Sequence, residues 1–174
     1  WKGDFDTPVT TSKIKFSLQC WSTGLFLSEL EVFGTQGGEP EEPDTYDNKA
    51  LNRPYTKSEP YSENGSILYP DTGDSELTDG KVGGDSYGDA GWVGFAGQDN
   101  EKFVQVDLGK PYDIDKVEFS YCVDSGAGIN PPSSTKVTYS LDGVTFYDFV
   151  TFQNLSPASG AHTVSLKGEP VVAR

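Results

Sequence analysis

The 174-residue chain contains no methionine, only two cysteines and a single histidine. Two distant thiols, Cys20 and Cys122, make neither a zinc site nor a redox motif, and the sequence alone does not decide whether they form a disulfide. The histidine, His162, lies in an alternating strand pattern, and we expect it to be structural because acid–base catalysis needs partners placed around it. No nucleophile elbow, phosphate-binding loop or zinc-ligand spacing is present. We therefore expect a non-catalytic protein. Acidic residues are abundant, however, so their number alone does not exclude the carboxylate pair of a glycosidase.

Positive charge is also scarce, with 13 Lys and Arg against 27 Asp and Glu, a net charge of -14. Such a surface repels phosphates, which disfavours nucleic acid and anionic membranes as partners. No apolar run is long enough to cross a bilayer, so we expect no membrane insertion. A chain without methionine is expected to be a fragment, and a fragment of a secreted protein would have lost its signal peptide.

Aromatic and turn-forming residues are abundant instead, with 10 Phe, 9 Tyr, 20 Gly and 11 Pro. Many turns and many aromatics are typical of a sandwich of short strands. No amphipathic helix is evident. Apolar alternation predicts the strands 13–18, 25–33, 103–108, 117–121, 135–141, 146–152 and 162–167.

The chain divides into three segments. Residues 1–34 are predicted to be the closing strands of a β-sandwich, belonging to this chain or to a neighbouring copy. Residues 35–47 are an acidic, Gly- and Pro-rich linker, and residues 48–174 form the main part of the sandwich. The stretch 166–171 resembles the beginning of the chain, from Trp1 to Val9, which suggests a tandem repeat.

Several short stretches, in their order and spacing, resemble the discoidin-like (coagulation factor type C) galactose-binding-fold modules, in the variant found on surface proteins and glycoside hydrolases of Gram-positive bacteria. The resemblance implies a jelly-roll β-sandwich of about eight strands. In that family the two closing strands follow a segment like Val171 to Arg174, whereas here they lie at the front, as residues 13–34. The stretches that carry the resemblance are 27–34, Tyr69 to Gly73, Leu77 to Gly80, Gly91 to Phe95, Val106 to Gly109 and Tyr139 to Gly143.

The resemblance further implies a structural calcium ion, held by a loop that begins at the Asp79-Gly80 pair and fixed to the final strand. Carboxylate and carbonyl oxygens suit calcium and do not suit zinc. The alternative is a plain turn with solvated acids. The predicted ligands are the carboxylates of Asp79 and Glu29, the backbone carbonyl oxygens of Ser28, Glu76 and Lys81, and further groups of the 84–86 stretch, including Ser86.

A sugar site is implied on the loops at one end of the sandwich. Pyranose recognition needs an aromatic face together with planar polar groups. The family's usual galactose-binding histidine and arginine have no counterparts at the matching positions. Trp92 and Phe95 match packing positions. The candidate ligand-binding residues are Trp21, Tyr69, Asp71, Asp124 and Asn130.

The function predicted first is a carbohydrate-binding or adhesion module with structural calcium, outside the cell or on its surface. Its partner is then a glycan or polysaccharide. The alternative is a structural repeat of a bacterial surface protein that binds no sugar and assembles with neighbouring copies by strand donation, and an enzyme is a distant third.

Overall fold

The computed structural model describes residues 9–36, 47–97 and 100–167, which form eleven β-strands and a single 3-10 helix, Ser125–Ala127. No helix in these ranges is long and apolar enough to span a membrane. Eight of the strands are longer than two residues. The strands are β1 (Val9–Gln19), β2 (Gly24–Gln36), β3 (Asp47–Asn48), β4 (Tyr55–Lys57), β5 (Ser62–Glu63), β6 (Ser66–Ile67), β7 (Val93–Ala96), β8 (Glu101–Val123), β9 (Ser134–Ser140), β10 (Tyr147–Gln153) and β11 (Gly160–Lys167).

Strand β1 forms because its apolar residues alternate. Ile14, Phe16 and Leu18 are fully buried, while the residues between them are only partly covered. The predicted strand 13–18 is therefore confirmed and extends further at both ends.

The prediction of separate strands at 103–108 and 117–121 is wrong, because both belong to the long strand β8. The chain does not turn between them, since Tyr112 and Ile114 continue the pairing with β1 and β2. The residues between Asp107 and Tyr112 form a bulge, because Lys13 pairs with Asp107 while Thr11 pairs with Tyr112.

Two layers of strands enclose one large core. Its aromatic members include Phe16, Phe95, Phe119 and Phe149, and Phe119 contacts both Phe16 and Phe152 edge-on. A smaller cluster around Phe26 and Trp92 lies apart from this core. The expected all-β sandwich is confirmed.

The N-terminal strands complete the sheet within the same chain, which corresponds to one of the two arrangements that the prediction left open. Strand β1 lies between β8 and β9, and β2 pairs with the second half of β8. At the other end of β2, Gly34 pairs with Asp47, so the segment 37–46 connects neighbouring antiparallel strands.

The first and last described strands lie end to end. Both β1 and β11 run antiparallel to β8 on the edge opposite β2, with Val9 opposite Ile114 and Lys167 opposite Lys116. The strand order in space is therefore that of a sandwich whose chain is continuous from β2 to β3 and has been opened between β11 and β1.

Most of the predicted linker, and the similar stretches at the two chain ends, lie outside the described residues. Of the linker, Thr35 and Gln36 belong to β2, and Asp47 belongs to β3. Both cysteines, Cys20 and Cys122, are free and buried.

Candidate functional site

An aromatic pocket lies at the end of the sandwich where β1 stops and β2 begins. Its volume is about 130 Å³, and its aromatic walls are Phe26, Tyr61, Tyr69 and Tyr87. This volume is below the roughly 300–1,000 Å³ of pockets that enclose a small molecule. The pocket therefore suits one edge of a ligand that stays largely exposed.

The four rings form a connected cluster. Tyr69 is central, since its ring centroid lies 4.6 Å from that of Phe26, 6.1 Å from Tyr87 and 6.2 Å from Tyr61. Phe26 is buried beneath the tyrosines and packs on the small cluster that contains Trp92. Such packing holds the tyrosine rings in fixed orientations before any ligand arrives.

The Trp92 side chain anchors the loop that carries Tyr87. Its indole Nε1–H donates to the carbonyl oxygen of Gly84 at 2.8 Å, and the ring is 2% exposed. Gly83 packs so closely against this indole that an added Cβ would lie 2.4 Å from a ring atom. Trp92 and Phe95 are therefore packing residues, as predicted.

Trp21 occupies the turn between β1 and β2 and is 75% exposed. Thr23 of the same turn lines the pocket, whereas Trp21 is not part of the lining. A large aromatic ring that is exposed beside a pocket offers a stacking surface for an apolar sugar face.

Asp124 and Asn130 flank the loop that supplies the lining residues Ala127 and Ile129. Asp124 begins the 3-10 helix, and its Oδ1 accepts the backbone N–H of Ala127, which lines the pocket. The Ser125 hydroxyl donates to the Asn130 Oδ1 at 3.0 Å. Both polar side chains thus lie beside the pocket with part of their hydrogen-bonding capacity used to hold the loop.

Asp71 lies elsewhere and is already fully engaged. Its side chain is 1% exposed, and its Oδ2 accepts the Tyr55 hydroxyl at 2.6 Å and contacts the Lys57 ammonium at 2.9 Å. Its Oδ1 accepts the backbone N–H groups of Ser75 and Glu76. Burial alone would raise the pKa of Asp71, but the hydrogen bonds from Lys57 and Tyr55 outweigh it and hold the pKa below its usual range. We therefore leave Asp71 out of the ligand site.

Glu29 is a buried carboxylate in the middle of β2. A bulge between Leu27 and Leu30 places it against the loop 76–81, where its Oε2 accepts the backbone N–H of Gly80 at 3.0 Å. Burial raises the pKa of Glu29 to about 8, with the charges of Glu31 and Asp79 adding to the effect.

Two buried oxygen atoms beside this loop have no hydrogen-bond partner, namely the Glu29 Oε1 and the Ser28 Oγ. Buried polar atoms are normally paired, so these two oxygens are available to bind an ion. No three His, Cys, Asp or Glu side chains cluster as metal ligands within the described ranges. An ion here would therefore depend on hydroxyl and carbonyl oxygens besides its carboxylates, a mixture that calcium accepts.

The other predicted calcium ligands lie along the same loop and the one after it. Asp79 pairs with the Lys81 ammonium at 3.0 Å and accepts the Lys81 backbone N–H. Glu76 accepts the backbone N–H of Thr72, and the Ser86 Oγ accepts that of Gly88. Glu29 and the Asp79-Gly80 pair are thus brought together. The side chains of Glu76 and Ser86 cap local turns, and the backbone carbonyl of Glu76 stays a predicted ligand.

Sequence reasoning missed Phe26, Tyr61 and Tyr87. The unusual number of tyrosines between residues 55 and 87 was a signal for an aromatic loop surface. Phe26 gave none, because it alternates with Leu25 and Leu27 in a strand that is buried on both faces.

One comparison with known proteins decides the family. The model of the F5/8 type C domain matches residues 55–174. The chain belongs to the F5/8 type C family, the discoidin-like modules that the sequence motifs indicated. This family consists of carbohydrate- and phospholipid-binding modules, which are generally non-catalytic. Searches of curated proteins and of solved structures found no match.

Proposed function

We propose that the protein is an extracellular carbohydrate-binding module that recognises a neutral glycan through its aromatic pocket and is stabilised by calcium. The observation that carries the proposal is the fixed cluster of Tyr61, Tyr69 and Tyr87 beside the exposed Trp21. Aromatic faces flanked by a few polar groups match the alternating apolar and hydroxyl surfaces of a pyranose.

Charge favours a glycan over the phospholipids that other members of the family bind. The chain carries a net charge of -14, so an anionic lipid surface would repel it. Among the described residues, the pocket lining holds no lysine or arginine, and Asp124 lies next to it as the acceptor of the N–H of the lining residue Ala127. A neutral sugar is not repelled by this negative charge, and its hydroxyl groups can donate to Asp124 and Asn130.

Calcium is proposed at the contact between β2 and the loop 76–81. The unpartnered Glu29 Oε1 and Ser28 Oγ would supply two oxygens, and Asp79 would add a carboxylate once it is released from Lys81. The ion would neutralise a carboxylate that burial otherwise disfavours. Its role is structural, because it would fix the loop to a strand of the sheet.

The proposed ligand implies an extracellular or cell-surface location, where such glycans are met. An adhesive role follows if the parent protein holds several such modules, because linked weak sites gain avidity.

A second candidate is a structural repeat that binds no sugar and assembles by strand exchange. It is favoured by the separate N-terminal segment, whose strands β1 and β2 supply the partners on both sides of β8. The same slot in a neighbouring copy could accept this segment.

A broad glycan array probed with the labelled protein in calcium tests the proposal. We expect binding to neutral glycans, which Trp21→Ala abolishes, while Ile67→Ala leaves it unchanged. Ile67 is a suitable control because it is 53% exposed and lies outside the pocket lining. An array without any bound glycan would favour the structural repeat.

A further inference from the structure

A second pocket opens at the opposite end of the sandwich. Its volume is about 410 Å³, and it is lined by Thr10, Tyr139, Leu141, Asp142, Thr145 and Tyr147. We call it the β9–β10 pocket, because the hairpin between these strands forms most of its wall. Strand β1 runs from Thr10 at this pocket to Gln19 near the first pocket, a distance of about 30 Å along an extended strand.

The aromatic floor of the β9–β10 pocket is held by strand pairing. Tyr139 and Tyr147 are directly opposed in the antiparallel register, and their ring centroids lie 5.7 Å apart. The Tyr139 ring also packs on the buried Phe149. Tyr147 is 57% exposed, so one of its faces is open on a rigid strand.

Apolar exposure is concentrated around this floor. Leu141, Val144 and Tyr147 account for three of the eight large hydrophobic side chains that are exposed among the described residues. They lie within seven consecutive positions on one hairpin. A contiguous exposed apolar patch is typical of a binding surface.

A fixed acceptor lies at the rim of the pocket. The Asp142 Oδ1 accepts hydrogen bonds from the Ser140 hydroxyl and from the backbone N–H groups of Val144 and Thr145, at 2.9, 2.8 and 2.7 Å. These donors, Thr145 and Val144 first, hold the pKa of Asp142 well below its usual range, so the group stays ionised. An ionised carboxylate accepts sugar hydroxyls and repels acidic ligands.

We propose that the β9–β10 pocket is a second carbohydrate-binding site, in which a neutral pyranose stacks on Tyr147 and donates a hydroxyl to Asp142. Its volume lies within the range of small-molecule pockets, unlike that of the first pocket. Two sites at opposite ends of one module bind two polysaccharide segments at once, and the module then cross-links chains or gains avidity on one of them. This proposal does not depend on the first pocket.

Amide NMR titration of the protein in the presence of calcium tests the proposed site in the β9–β10 pocket. The probes are neutral gluco-, galacto-, manno- and xylo-oligosaccharides at millimolar concentration, and residues from both pockets are followed separately. We expect at least one probe to shift the amides of residues 139–147. Tyr147→Ala should weaken that response about tenfold, Tyr147→Phe should retain it, and Tyr87→Ala in the first pocket should leave it unchanged.

Each site can fail without the other. Shifts that appear only around Tyr69 and Tyr87 overturn the second site and leave the first intact, and the absence of any shift overturns both. Shifts at 139–147 that depend on protein concentration without sugar would make this face a contact between copies, which also overturns the proposal. A Tyr147→Ala melting temperature close to wild type confirms that a lost response reflects the site, since this ring is mostly exposed.

Discussion

The Glu29 Oε2 accepts the backbone N–H of Gly80 at 3.0 Å, and this contact joins the N-terminal segment to the first long loop of the main body. Fifty-one positions separate the two residues, so the bond stabilises a long-range contact. The other oxygen of this carboxylate, Oε1, is buried and has no hydrogen-bond partner.

Calcium is therefore expected to raise the melting temperature, because an ion held by Glu29 and Asp79 binds only the folded loop. At about 100-fold above its Kd the ion would add about 2.7 kcal/mol, or roughly 5 to 11 °C for a chain of this size. Calorimetry with calcium and with a chelator measures the difference. Glu29→Gln should remove most of it, whereas Glu63→Gln on the β5–β6 hairpin should not. An unchanged melting temperature and no bound metal by elemental analysis would contradict the site.

Without calcium, stability should fall as pH rises between about 4.5 and 8. The pKa of Glu29 is raised in the folded state from 4.5 to about 8, so over this window the folded protein binds a proton that the unfolded chain has lost. The stabilisation is fully present below 4.5 and is lost as pH rises through 8. Urea unfolding across this range measures it. Glu29→Gln should flatten this part of the profile, and a calcium-saturated sample should do so too, because the ion keeps the carboxylate charged. A wild-type profile no steeper than that of Glu29→Gln would be the contrary result.

Asp71 is expected to act in folding and not in sugar binding. Asp71→Ala leaves the Tyr55 hydroxyl without its acceptor and the Lys57 ammonium with only the exposed Asp74, at a cost of about 3 kcal/mol. Asp74→Ala removes the other, mostly exposed partner of Lys57 and should cost less than about 1 kcal/mol. Chemical denaturation gives both values. Glycan affinity should be the same in each variant, and a selective loss in Asp71→Ala would return this residue to the binding site.

Some features of the fold and of the site were predictable from the sequence, and others were not. The alternation of Ile14, Phe16 and Leu18 predicted β1 because burial of one strand face leaves a two-residue period. The family stretches predicted that residues 13–34 close the sandwich. The residues next to Asp71 in the sequence do not distinguish it from a solvated acid in a loop, because its partners Tyr55 and Lys57 lie in β4. The continuity of β8 was hidden for the same reason, since pairing with β1 resumes at Tyr112 after the bulge that contains Gly109 and Pro111.

A permuted chain should fold to the same structure. Val9 and Lys167 lie opposite Ile114 and Lys116, about 7 Å apart along one edge of β8. A chain that runs 47–174 and then 9–36 therefore needs only a short connection, and we expect a monomer with a melting temperature close to that of the parent. Residues 47–174 alone should not fold, because β8 and β9 lose the strand between them.

Light scattering on the unpermuted chain tests whether the N-terminal strands pair within one chain or between copies. Gly34 and Asp47 pair on neighbouring antiparallel strands, so closure within one chain is expected to be favoured in dilute solution. A monomer at all concentrations agrees with closure. A concentration-dependent ladder would instead indicate strand donation between copies and would support the structural-repeat alternative.

The central claim is that the loop end around Trp21 and Tyr69 binds a neutral glycan, and isothermal titration with the strongest neutral hit of the array tests it most directly. For one or two stacked rings on a shallow pocket we expect a Kd of about 0.1 to 1 mM, equivalent to roughly 4 to 5.5 kcal/mol. Trp21→Ala should abolish the heat signal while the melting temperature stays within a few degrees of wild type. Undiminished binding by a folded double variant that lacks both the Trp21 and the Tyr69 side chains would contradict the account.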